Sequence, residues 1–185
     1  VLDDHYISPY IYWNKPNYRR QEDYRTLGAG INNTFILNEK NNLNYSIGYS
    51  NTDYVDNPTF DTANNNNNSV YSSFIRHNYN LTKKIQFGTK LILNRSEYIK
   101  EYDSYDTKGI TLSYSQILPI GTFKLRSTYL ENDYDKIDSF ISSTIIRKDE
   151  SLVTVLSLDG QLNKIIPFRK EAKIDNSIFY SLNIK

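Results

Sequence analysis

The sequence predicts an all-β protein, an antiparallel up-and-down transmembrane β-barrel with about 8–10 strands present and more belonging to a larger barrel. Three observations carry that prediction. Residues Leu43 to Tyr49 read Leu-Asn-Tyr-Ser-Ile-Gly-Tyr, a strict alternation of large apolar and small polar side chains. A strand shows each face with period two, so this segment has one apolar side and one of Asn, Ser and Gly. The alternation recurs in blocks of about ten residues, the length a tilted strand needs to cross a bilayer. The connections between blocks are alternately short and long, as in barrels with tight turns on one side and large loops on the other.

Composition agrees. The 185 residues suffice for one domain, 1–185. Hydrophobic residues make up 38% and mean hydropathy is −0.62. No apolar run reaches the eighteen or so residues of a membrane helix. A barrel tolerates such an average because half of each strand faces a polar interior. The 17 Tyr and 8 Phe, with many Asn, Ser and Thr, favour extended structure over helix. Cysteine is absent, which removes disulfides, thiol nucleophiles and thiolate metal sites. A net charge of +1 gives no electrostatic case for nucleic acid. The sequence shows neither an initiator Met nor a signal peptide, so part of a larger protein is expected.

Along the chain, His5 to Trp13 is an aromatic stretch with Pro9, expected as an edge strand because proline removes a ladder donor. Residues 14–23 read as a loop. Leu27, Ala29, Ile31, Asn33, Phe35 and Leu37 then form one face opposite Thr26, Gly28, Gly30, Asn32 and Thr34. Residues 38–42 are a tight connection rich in turn formers, and the Leu43 strand follows. Residues 53–69 hold five consecutive asparagines, Asn64 to Asn68, and predict a long polar loop.

Val70 to Leu81 predicts a strand and 82–84 a turn. Ile85, Phe87, Leu91 and Leu93 oppose Gln86, Gly88, Lys90 and Asn94, ahead of a loop at 99–106. Ile110, Leu112 and Tyr114 alternate with Thr111, Ser113 and Ser115 as far as the turn signal Pro119-Ile120-Gly121. Phe123, Leu125 and Tyr129 oppose Lys124, Arg126 and Thr128. Residues 134–150 form a long connection in which Ile141 to Ile146 fit either loop or strand. Leu152 to Leu162 reads as a strand, 163–168 as a turn, and Lys173 to Ile184 as a last strand. The count is about nine, odd where closed barrels are usually even.

Loop length assigns the sides. Turns at 38–42, 82–84, 118–121 and 163–168 belong to the periplasmic side, and the loops at 14–23, 53–69, 99–106 and 134–150 to the outside. Tyrosines gather at strand ends, with Tyr24, Tyr49, Tyr71, Tyr79, Tyr98 and Tyr129 as candidates for an interfacial aromatic girdle. Tyrosine is also simply a good strand residue. The aliphatic mid-strand positions favour the girdle.

Chemistry is sparse. The two histidines, His5 and His77, have no second ligand at metal spacing. His77 with a serine on the next strand could make a hydrolase, but no nucleophile elbow or oxyanion feature accompanies it. Carboxylates at Asp103, Asp106, Glu131, Asp133, Asp135 and Asp138 match no calcium loop and read as solvated loop charge. No catalytic, cofactor or metal residue is assigned, and no enzyme is expected. Lys90, Lys124 and Arg126, with Arg76 and Arg95 as further candidates, fall in the inward stripe. Pairing with inward carboxylates is expected, and anion preference is the alternative.

Strand pattern, Tyr and Asn richness and loop sorting resemble Gram-negative outer-membrane barrels over nearly the whole chain. More narrowly, Arg147-Lys148-Asp149-Glu150 leading into Leu152-Val-Thr-Val-Leu-Ser-Leu158, then Pro167 and Ser177-Ile-Phe-Tyr180, resembles the C-terminal barrel of surface lipoprotein assembly modifiers (Slam). The resemblance implies a bacterial outer-membrane location, contact with outer-membrane lipid, and a lipoprotein or other exported protein as partner. It implies a conduit for export or surface display. A porin for small solutes and a structural or adhesive barrel are the alternatives.

Overall fold

A computed structural model describes residues 5–15, 23–55, 66–161 and 179–184. Nine strands form one antiparallel sheet in chain order, each paired with its sequence neighbour. They are β1 His5–Asn14, β2 Asp23–Asn38, β3 Asn41–Val55, β4 Asn68–Thr82, β5 Ile85–Tyr98, β6 Tyr105–Leu118, β7 Gly121–Tyr134, β8 Lys148–Gln161 and β9 Phe179–Ile184. No α-helix occurs among the described residues; one 3-10 turn spans Glu101–Asp103. The first and last strands do not pair, so the sheet is open. The expected loop at 14–23 and turn at 163–168 lie mostly or wholly outside the described residues, as do most of the 53–69 loop and Lys173 to Ile178 of the last strand.

The tight turns are built by their own side chains. Asn38 Oδ1 accepts from the backbone N–H of Lys40 and of Asn41, both at 3.0 Å. Thr82 Oγ1 does the same for Lys84 and Ile85, both at 3.1 Å. These are the Asx and Ser/Thr turns that let short polar residues reverse a chain. No described residue has positive φ. The primed turns that match strand twist are therefore unused, and register shifts at Ile36/Asn38 and Asn80/Thr82 accompany the reversals. The first shift takes Leu37 out of the apolar row that the alternation assigned to it.

Register gathers the side chains into two unlike faces. Ile75, Leu91, Ile110, Tyr129 and Leu152 lie directly across from one another on one face. Lys90, Thr111 and Thr128 follow on the other. None of the described residues covers the apolar face: Ile11 is 80% exposed, Leu93 60% and Leu152 70%. The polar face holds the buried small residues Ser46, Ser96, Thr107, Thr111 and Ser157. Hydroxyls meet across strands there, Thr26 with Thr52 at 2.9 Å and Thr111 with Thr128 at 3.0 Å. The core is thus inverted relative to a soluble sandwich, with polar atoms satisfying one another and apolar ones left outside.

β2 to β8 run 14 to 16 residues each, longer than a bilayer requires. The surplus lies at the end with the long connections, and charge marks it. On the apolar face of β5 the row Ile85, Phe87, Thr89, Leu91 and Leu93 ends at Arg95 and Glu97. The nine residues from Ile85 to Leu93 rise roughly 27 Å along the strand. Across β6 to β8 the same limit is set by ion pairs, Lys108 with Asp133 at 3.1 Å and Lys148 with Glu131 at 3.0 Å. Such exposed pairs contribute little each. They let the ladder continue past the apolar band, so β8 starts at Lys148 and β6 at Tyr105, earlier than apolar alternation indicated. Ile141 to Ile146 lie in the connection, not in a strand.

Candidate functional site

The polar face gathers the basic residues. Arg76 stands directly opposite Lys90, Ser113 opposite Arg126, and Ser115 opposite Lys124. All four cations line one cavity of about 450 Å³, whose wall runs from β4 to β8. Strands are spaced about 4.8 Å apart, so five of them reach one cavity because the sheet curls toward this face. Lys90, Lys124 and Arg126 therefore share the polar side, as the alternation indicated, and Arg76 joins them.

Their partners differ. Lys124 Nζ reaches Asp159 at 3.2 Å. Lys90 Nζ sits 4.1 Å from the centroid of the Phe74 ring, held by a cation–π contact. Arg76, Lys90 and Arg126 meet no carboxylate among the described residues. The expected internal pairing accounts for Lys124 alone. Arg95 leaves the stripe altogether: it pairs with Tyr71 and Asp106 on the apolar side, above the apolar band. Strand parity decides this, since Arg95 is an even number of residues from Leu93 and an odd number from Lys90.

Arg95 instead organises the long-loop end. Its guanidinium grips the Asp135 carboxylate through two bonds, Nη1 to Oδ1 being 2.7 Å. Glu97 lies at 3.5 Å and Asp106 at 3.6 Å. The Asp135 N–H donates to the Ser104 carbonyl at 3.0 Å, and Lys136 pairs with Glu101. The β7–β8 connection is thereby pinned to the β5–β6 one. Beyond the pin it carries exposed apolar side chains, with Phe140 90% exposed.

The Arg95 hydrogen bond holds the Asp135 carboxyl below its ordinary range. A depressed folded-state value means the stabilisation is present above the unfolded value, near 4, and is lost as pH falls through the folded one. Pepsin cleavage at Phe140, corrected against an unfolded peptide of the same residues, is expected to accelerate only below about pH 4. Arg95→Ala should be cut quickly at every pepsin-active pH. Equal cleavage of both proteins at pH values where Asp135 is ionised would show that the clamp does not hold the loop.

The aromatic candidates divide by parity. Tyr49, Tyr71, Tyr79 and Tyr129 lie on the apolar face, with Tyr49 and Tyr71 ring centroids 5.0 Å apart. Toward the tight-turn end the same face carries Phe87, Tyr114 and Phe123 in contact, at 5.3 and 6.2 Å. Tyr24 and Tyr98 take the polar face instead, against Tyr54 and Tyr105. Each is an odd number of residues from its nearest apolar-row leucine, Leu27 or Leu93.

Sequence reading missed one feature of the polar face. Tyr10 and Tyr12 of β1 lie over Gly28, Gly30 and Gly48, filling the space where β-carbons would stand. Tyr10 is directly opposite Gly30, which is opposite Gly48. Glycines in consecutive strands are the available signal, but only the register aligns them with a tyrosine.

The model of the surface lipoprotein assembly modifier family matches residues 3–162, most of the chain and eight of the nine strands. The chain belongs to that family. Membership implies a role in surface lipoprotein assembly and agrees with the all-β sheet. No curated protein and no solved structure matches it.

Proposed function

We propose that the sheet is wall of an outer-membrane β-barrel that acts as a conduit for the surface display of lipoproteins. One observation carries this reading: an uncovered apolar face backs onto a polar face whose cations line a cavity. An apolar band that is nine residues long on β5 fits lipid, and a lumen explains charges that a packed core would exclude. Family membership supplies the cargo class. The clamped connections at 99–104 and 135–147 stand at the end that would face outward.

The test uses the full-length protein in an outer membrane together with a lipoprotein substrate. Surface exposure of the lipoprotein, read by protease shaving of intact cells, should depend on the protein. Unchanged exposure after deletion of its gene would sink the conduit. A solute pore is the second reading, favoured by the open polar face. It predicts steady conductance of the purified protein in planar bilayers and normal lipoprotein display without it.

A further inference from the structure

We infer that Arg76, Lys90 and Arg126 form an anion-binding station on the inner wall that takes the carboxylates of an acidic polypeptide segment during passage. The inference rests on the conduit reading and adds the chemistry of what the wall grips. Arg76 and Arg126 are exposed and Lys90 half-buried, so all three are within reach of the cavity. Arg76 and Lys90 face each other directly in the ladder, a like-charge arrangement that destabilises a sheet. Among the described residues lining the cavity, the one carboxylate, Asp159, pairs with Lys124. Lys90 is steadied by Phe74, an aromatic face that fixes the ammonium without neutralising it.

The remaining lining includes Asn78, Gln86, Ser113 and Ser115, neutral groups that can hydrogen-bond a carboxylate without repelling it. Three uncompensated cations therefore converge from β4, β5 and β7 on one polar hollow. A single small anion would satisfy one or two of them. A chain carrying successive carboxylates satisfies all three, each weakly enough to let go, as passage requires.

The experiment uses the full-length protein in detergent and in planar bilayers, with oligo-glutamate and oligo-lysine peptides as probes. Labelled oligo-glutamate should bind the detergent-solubilised protein and oligo-lysine should not. Binding should weaken with added salt, because the site is open to solvent. Arg76→Gln/Lys90→Gln/Arg126→Gln should weaken binding about tenfold, the sum of three exposed charge contacts. Lys83→Gln, in the exposed β4–β5 turn and outside the cavity, should change it little.

Where the triple variant fails the heat-modified mobility test for a folded barrel, Arg126→Gln alone supplies the comparison. Equal binding of both peptides, absence of oligo-glutamate binding, or binding unaffected by the substitutions overturns the station. Lipoprotein display separates the two claims. Display that persists without oligo-glutamate binding removes the station and leaves the conduit. Binding without any dependence of display on the protein removes the conduit and leaves an anion site in a pore.

Discussion

Leu91→Arg should cost the full-length protein about 2–4 kcal/mol of stability in a lipid bilayer, the penalty for an arginine deep on the lipid side of a barrel. Leu91 lies on the apolar face between Ile75 and Ile110 and is 50% exposed. Lys90, the preceding residue, is a charge at the same depth that the protein already carries. The contrast isolates the face: one residue along the strand, the same kind of cation passes from the polar face to the apolar face proposed to meet lipid. Urea unfolding of the protein in vesicles reads the difference. Leu91→Arg should shift the midpoint strongly, whereas Leu91→Val should move it by less than about 1.5 kcal/mol. If both substitutions were tolerated equally, the apolar face would not face lipid, and a partner surface or a soluble assembly would have to cover it.

The alternation at Leu43 to Tyr49 is visible in the sequence because every second residue there is apolar, and the register bears it out across the sheet. What lay beyond sequence reading follows from the same period-two rule. Above the band the ladder continues, but charged residues replace the apolar row, so Lys148, Glu150 and Asp106 look like loop. Only their register partners across the ladder, Asp133, Glu131 and Arg95, reveal strand. The basic stripe was legible at Lys90, Lys124 and Arg126, where neighbours fix the parity. Arg95 was equally legible: it stands two residues from Leu93, so the period-two rule puts it in the apolar row and outside the basic stripe. Ion pairing was beyond reach for a different reason: Lys124 and Asp159 are 35 residues apart, and adjacent strands alone bring them together. Asn33 shows the limit within a clear row. It occupies an apolar-face position yet is 4% exposed, with its side-chain oxygen 3.3 Å from His5 Nε2 on the neighbouring strand.

Gly30→Val is the second large effect, and it tests how β1 is attached. A β-carbon at Gly30 would come within 2.5 Å of the Ile47 carbonyl oxygen and of the Tyr10 hydroxyl. The first contact is backbone in β3, which cannot yield without moving the ladder; the second is the ring that covers Gly48 as well. β1 carries Pro9, which gives no ladder donor. The tyrosine rings therefore supply part of what the hydrogen bonds do not. Overpacking of this kind costs about 1–3 kcal/mol, and here it should fall on β1 first. Hydrogen exchange should show loss of protection across Tyr10 to Trp13 and in the facing residues Leu27 to Gly30, while β6 and β7 stay protected. Tyr10→Ala should loosen the same strand by removing the ring, and Gly30→Val in the Tyr10→Ala background should add only the clash with Ile47. Uniform loss of protection over all strands would mean that β1 has no separate attachment and that the ring–glycine contact is incidental.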